Sequence, residues 1–70
     1  MNEGYTAVVK KSGDWWIGWI EEVPGINSQG KTRKVLLDNL QSALKEALEM
    51  NRAEARQAAG KSFEEASISV

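Results

Sequence analysis

The sequence predicts a small α+β domain with three antiparallel strands, one helix and a final strand, in the order β-β-β-α-β. Two segments rich in β-forming residues flank a short turn near the amino end. Apolar residues then recur at helical spacing from Arg33 to Met50. Apolar and polar residues finally alternate over residues 66–70, which is the periodicity of a strand.

The first two strands form a hairpin. Residues 5–11 (YTAVVKK) and 15–22 (WWIGWIEE) are rich in β-branched and aromatic residues, and the turn Ser-Gly-Asp at 12–14 joins them. Successive side chains of a strand point to opposite faces. The two resulting sets are Trp15, Ile17 and Trp19, and Trp16, Gly18 and Ile20. Because both sets are apolar, whereas a sheet with one solvated face alternates apolar and polar residues, we expect a cover on each face.

Gly18 lies in mid-strand between bulky neighbours. Such a glycine indicates either the close approach of a packed helix or a β-bulge. A helix packed over Gly18 would leave Trp15 and Trp19 pointing outward, and this is the orientation that we expect.

A turn at residues 23–25 (VPG) separates the hairpin from a weaker third strand at 26–31 (INSQGK). Thr32 is the expected N-cap of the helix. The apolar stripe of the helix, which is expected to cover the sheet, consists of Leu36, Leu37, Leu40, Leu44, Ala47 and Leu48. Val35 falls outside this stripe and is expected to be partly exposed.

The carboxyl end of the helix has two interpretations. A single helix that continues to Ala59 would be about 40 Å long at 1.5 Å per residue. Alternatively, Asn51 and Glu54 have the spacing of a capping box and would start a second helix. Gly60 ends the helix in either case. The strand at 66–70 is expected to return to the sheet beside the first strand.

Composition narrows the possible functions. The 70-residue chain has no cysteine and no histidine, and its nine basic and ten acidic residues give a net charge of −1. Disulfides, thiolate or imidazole metal sites and histidine-based catalysis are therefore excluded, and direct nucleic-acid binding is disfavoured. No segment has the pattern of a membrane span or a secretory signal. We expect one cytoplasmic domain over residues 1–70 that has no cofactor and is not an enzyme.

Two polar groups resemble binding motifs only superficially. Gly30, Lys31 and Thr32 precede a helix but lack the earlier glycine of a phosphate-binding loop, so they are interpreted as a helix cap. The carboxylates that could hold a divalent metal are Glu3, Asp14, Glu21 and Glu22. Because adjacent strand residues point to opposite faces, these acids are interpreted as solvated charges and no metal site is expected.

Residues 5–50 resemble the HicB-like family. The resemblance is carried by the aromatic strand, by Pro24-Gly25, by the Gly30-Lys31-Thr32 segment and by the leucine-striped helix. At residues 34–36, Lys-Val-Leu replaces the acidic residues and alanine usual in the family, and Glu21 replaces a frequent proline. The resemblance implies a truncated ribonuclease H-like fold. It also implies binding to a small basic HicA-like ribonuclease toxin, as in the antitoxin members. Without the separate DNA-binding domain of those antitoxins, no direct DNA binding is expected.

The leading hypothesis is therefore a protein-binding module, with an interface expected to include Trp15, Ile17, Trp19 and Val35. One alternative is a self-associating orphan that forms a homodimer or a higher homo-oligomer without a toxin. The other is a residual nucleic-acid-binding or nuclease fold.

Overall fold

The computed structural model describes residues 4–69 and confirms an α+β architecture. Strands β1 (Ala7–Ser12), β2 (Trp15–Ile20) and β3 (Asn27–Gly30) form one antiparallel sheet in the order β1-β2-β3. Helix α1 (Arg33–Ala59) follows the sheet and packs on one of its faces.

The β1–β2 hairpin pairs residue for residue, from Ala7 opposite Ile20 to Ser12 opposite Trp15. Gly13 makes the tight turn possible because its φ of 62° lies in the left-handed region that side-chain-bearing residues rarely adopt. The uninterrupted register shows that Gly18 does not mark a bulge.

Beyond the hairpin's open end, side-chain and backbone bonds continue the ladder. The Glu21 N–H donates to the Thr6 carbonyl over 2.9 Å, and the Thr6 N–H donates to Glu22 Oε1 over 2.7 Å. The bond from the Thr6 backbone lowers the pKa of Glu22. Gly25 then reverses the chain with a φ of 90°, and the Ile20 N–H donates to the Ile26 carbonyl over 3.0 Å. The turn predicted at residues 23–25 is confirmed.

The core forms where α1 crosses Gly18. Leu36 and Leu40 are 0% and 1% exposed, and Ile20 beside them is 6% exposed. A Cβ on Gly18 would lie 3.2 Å from Leu36 Cδ2, 3.3 Å from Leu40 Cδ1 and 2.6 Å from the Val8 carbonyl oxygen. The half-buried residues around this centre are Ala7, Val9, Trp16, Val23, Ile26 and Leu44. Close approach of the helix is thus the reason for a glycine in mid-strand.

The helix begins as predicted. Thr32 has an extended backbone, and its Oγ1 accepts a hydrogen bond from the Val35 N–H over 3.1 Å. The Asn39 side chain reaches back to β3, where Nδ2 donates to the Gln29 carbonyl over 3.1 Å. These two bonds fix the start of the helix against the third strand.

The helix runs without interruption to Ala59, so the second helix considered from Asn51 does not form. Every residue from 49 to 59 is exposed, and we call this part of α1 the overhang. Gly60 ends the helix with a φ of 88°, and its N–H donates to the Arg56 carbonyl over 3.2 Å. The predicted role of Gly60 is confirmed.

The fourth strand predicted at residues 66–70 is not confirmed. Residues 61–69, which we call the tail, contain no strand, and Val70 lies outside the described residues. The tail instead turns back beside the overhang, where Arg56 Nε donates to Glu65 Oε2 over 2.9 Å. That contact lowers the pKa of Glu65 through the hydrogen bond and the charge of Arg56. An ion pair at the helix end thus takes the place of a strand at the sheet.

Leu40→Ala tests the core. Removal of this fully buried side chain is expected to lower the free energy of unfolding by about 2–5 kcal/mol, because a cavity forms under the helix. Leu44→Ala should cost less because Leu44 is half-buried, and the exposed control Gln41→Ala should stay within about 0.5 kcal/mol. Urea denaturation followed by circular dichroism measures all three. Equal losses for Leu40→Ala and Gln41→Ala would contradict this packing.

Gly18→Ala tests the close approach of the helix. The added methyl group meets a backbone oxygen and two leucine side chains, so strand and helix must separate. We expect a loss of about 1–3 kcal/mol, typical of an overpacked core. Ser28→Ala, at the paired position on β3, is the matched control and adds no atom to the interface. Unchanged stability in Gly18→Ala would show that the helix does not contact this position.

Candidate protein-binding face

The sheet has a second face, on the side away from α1, which we call the open face. The strand registers place on it every second residue of the three strands. Its members are Val8, Lys10, Ser12, Trp15, Ile17, Trp19, Asn27 and Gln29. Pairing across the sheet puts Trp19 between Val8 and Asn27, and Ile17 between Lys10 and Gln29.

An apolar stripe runs along the centre of the open face. It consists of Trp15, Ile17 and Trp19, which are consecutive on this side of β2 and therefore about 7 Å apart along the strand. Trp15 and Trp19 are 39% and 42% exposed, and Ile17 is half-buried. The structure thus brings together three of the four residues predicted to form an interface.

Polar side chains flank the stripe, and charged groups of both signs lie at its margin. Lys10 pairs with Ile17 across the hairpin. Lys31 follows β3, and its Nζ lies 5.0 Å from the centroid of the Trp15 ring, within the range of a cation–π contact. None of the eight open-face residues is acidic. Glu21 is the next residue after Trp19 in the alternation of β2, and its backbone still bonds to the β1 side of the ladder, so a carboxylate lies at the end of the stripe. The face is therefore an apolar strip with a polar, charged margin.

Trp16 belongs to the covered face. It pairs with Lys11 and Gly30 and packs against the buried core cluster. Lys11 Nζ lies 5.7 Å from the centroid of the Trp16 ring. The expected division of the tryptophans, with Trp15 and Trp19 outward and Trp16 inward, is confirmed.

Val35 does not join the stripe. It is 43% exposed, as expected, but it lies in the first turn of α1. Its Cγ1 is 2.9 Å from the position that a Cβ on Gly30 would take, and Gly30 pairs with Trp16 of the covered face. Val35 is therefore on the helix side of the sheet, and the open face and Val35 are separate surfaces.

Two contributors to the open face were missed in the prediction from sequence. Val8 is half-buried beside Trp19, and Lys31 contacts Trp15. The signal for Val8 was present in the short turn at Gly13, because a two-residue connection fixes the hairpin register and hence the partner of each strand residue. The position of Lys31 depends on the path of the chain after Gly30, for which the sequence has no comparable marker.

Other features of residues 4–69 concern metal binding, the segment before the helix and membrane insertion. Within residues 4–69, no three acidic side chains gather into a group that could hold a metal ion. The hydroxyl of Thr32 is engaged as the helix cap, in agreement with the interpretation of that segment. In the part of the chain that the structure describes, no helix is both long and apolar enough to cross a bilayer.

Comparison with known proteins adds no assignment. The chain matches no protein-family model, no curated protein and no solved structure.

Fluorescence quenching tests the division of the tryptophans. Three variants each keep one tryptophan and replace the other two by phenylalanine. Acrylamide should quench Trp15 and Trp19 more strongly than Trp16, because only Trp16 packs against the core. The same variants unfolded in guanidinium chloride are the control and should be quenched equally. Strongest quenching of Trp16 in the folded state would contradict this arrangement.

Proposed function

We propose that the chain is a protein-binding module and that a partner protein covers the open face. The observation that carries the proposal is the exposure of Trp15 and Trp19 on the side of the sheet that α1 does not cover. Tryptophan is enriched at the energetic centres of protein interfaces, because a large rigid ring buries much apolar area with little loss of entropy. A folded domain gains nothing from two such rings in water.

The layout of the open face supports this function. The apolar stripe lies on the central strand, whereas the flanking strands present Lys10, Ser12, Asn27 and Gln29. An apolar centre surrounded by a polar margin is the usual anatomy of a protein interface. The stripe is also rigid, because β2 is hydrogen-bonded to a strand on each side. Little conformational entropy is then lost when a partner binds.

The resemblance to the HicB-like family suggests what the partner is. In this version of the proposal, the chain is an antitoxin that neutralises a small basic ribonuclease by covering it. The predicted ribonuclease H-like relationship and the fourth strand belong to the same proposal. The apolar stripe would make the direct contact, and the cationic groups of the toxin would lie away from Lys10 and Lys31, since facing like charges oppose binding.

Self-association through the open face is the second candidate, and the stripe alone would permit it. The charges of the face bear on how two copies could meet. The open face carries Lys10, and Lys31 lies beside it, but none of its eight residues is acidic. Two copies placed face to face would bring four ammonium groups together, and the carboxylates available to pair with them are those of Glu21 at the end of each stripe.

A pull-down with a double variant tests the proposed function. The tagged chain is co-expressed with the proteins encoded beside it in its native genome, among which the proposal expects a small basic one. The complex is then isolated and its Kd measured. Trp15→Thr with Trp19→Thr should weaken the complex by at least about 100-fold, since interface tryptophans commonly contribute 2 kcal/mol or more each. Threonine retains a high strand propensity, so folding should be preserved.

Asn27→Ala with Gln29→Ala is the matched control, because it changes the polar margin of the same face. This control should bind within about tenfold of the unmodified chain. Equal binding by the tryptophan variant and the unmodified chain would exclude the open face as the interface. Binding of single-stranded RNA that is lost in the tryptophan variant, without any protein partner, would replace the proposal with a nucleic-acid-binding function.

A further inference from the structure

The two edges of the sheet differ in how they are protected. The β3 edge is only four residues long, and the Asn39 side chain donates to the outward carbonyl of Gln29. Helix α1 also packs more closely on β3 and β2 than on β1. Short strands and bonds from side chains are devices that stop an edge from pairing with another strand.

Within residues 4–69, neither of these two devices protects the β1 edge, which carries Lys10 and Lys11 towards its end. In an antiparallel ladder, residues that bond to the neighbouring strand alternate with residues that do not. The bond from the Glu21 N–H to the Thr6 carbonyl shows that Thr6, and hence every second residue after it, bonds to the β2 side. It follows that Ala7, Val9 and Lys11 direct their backbone N–H and C=O groups away from β2. No strand of the described residues lies on that side. β1 is six residues long, has no proline and pairs without a bulge. The two lysines place charge towards its end, but the outward backbone groups of Ala7 and Val9 are a template for a further strand.

The tail has the sequence of a strand but lies away from the sheet. Ala66 and Ile68 alternate with Ser67 and Ser69. Ile68 is 86% exposed, the largest value among the exposed large hydrophobic residues of the described chain. Met50 and Phe63, on the overhang and the tail, are 60% and 48% exposed. This end of the molecule therefore presents apolar groups that its own core does not cover.

In the described structure the tail does not reach β1 of its own chain. The solvent-exposed Arg56–Glu65 ion pair places Glu65 eight residues beyond Leu48, the last half-buried residue of α1, and thus about 12 Å past it. Residues 66–69 span about 13 Å when fully extended. With Glu65 bound to Arg56, residues 66–69 would therefore reach only the level of Leu48, even if they ran straight back along the helix.

We propose that two copies of the chain exchange their tails, so that residues 66–69 of each copy pair with the β1 edge of the other. The exchange is reciprocal and closes a twofold dimer, in which each sheet gains a fourth strand. Ile68 then lies against the partner's sheet instead of in water. The surface used is the β1 edge, so this proposal is independent of the open face and of any toxin.

A spin-label experiment on mixed samples tests the exchange. The chain has no cysteine, so Ser69→Cys provides a unique attachment site for a nitroxide label and leaves Ile68 intact. Protein with natural-abundance nitrogen that carries the nitroxide is mixed with ¹⁵N-enriched protein that carries no nitroxide. The amide signals of Ala7–Lys11 in the ¹⁵N-labelled copies should broaden, and those of the β3 residues should broaden less. The same mixture with the nitroxide reduced is the control.

Sedimentation of two point variants gives an independent readout. Ile68→Asp should raise the dimer Kd at least about 100-fold, because the reciprocal exchange buries two isoleucines and each contributes about tenfold or more. Ser67→Asp adds the same charge on the other side of the tail and should shift the Kd less. The Trp15→Thr, Trp19→Thr variant should dimerise like the unmodified chain.

Three results would overturn the exchange. The first is a monomer by sedimentation at the protein concentration of the mixed NMR sample. The second is a dimer without broadening of the Ala7–Lys11 signals in the mixed sample. The third is loss of the dimer in the double tryptophan variant, which would assign self-association to the open face.

Discussion

The contact between α1 and Gly18 is the constraint on which the rest of the molecule depends. The helix lies so close to β2 that Leu36 and Leu40 occupy the space of a missing side chain. With any larger residue at this position, the helix would be lifted off the sheet and the core of Ile20, Leu36 and Leu40 would open. In a domain this small, few other contacts could compensate for that loss.

This one contact also decides the orientation of the tryptophans. Once the Gly18 face is covered, strand alternation places Trp16 under the helix and Trp15 and Trp19 on the opposite side. The open face is thus a direct consequence of how the core forms. The same helix leaves the sheet after Leu48 and carries its last residues into solvent, which leaves a second set of apolar groups uncovered. The two uncovered surfaces differ in chemistry, since the open face offers side chains and the β1 edge offers backbone hydrogen bonds.

Local patterns predicted most of the fold. The three strands, the turn at Gly25, the cap at Thr32 and the helix end at Gly60 each depend on neighbours in the sequence, and each is confirmed. Whether the helix continues past Asn51 depended on two opposing preferences, the capping box at Asn51 and the helix propensity of the residues after it. A capping box helps only if the chain turns there, whereas the arginine, alanine, glutamate and glutamine of residues 52–59 are good helix formers. With no neighbour to pack against, propensity prevailed and the helix continued.

The remaining differences arise from tertiary placement. Helical periodicity predicted that Val35 would be exposed, but it carries no information about which side of the sheet the helix start occupies. Likewise, the alternation of apolar and polar residues at 66–70 shows which side chains a strand there would bury. It does not show whether these residues can reach an edge strand of the sheet. The ion pair between Arg56 and Glu65 could not be foreseen either, because it depends on the turn after Gly60.

Nuclear Overhauser contacts of the Gly18 α-protons test the central claim most directly. With α1 packed over this glycine, these protons should show strong contacts to the methyl groups of Leu36 and Leu40. The indole protons of Trp15 and Trp19 should show none to either leucine. Contacts from those two indoles to Leu36 or Leu40, with none from Gly18, would mean that the helix covers the other face and that the open face does not exist.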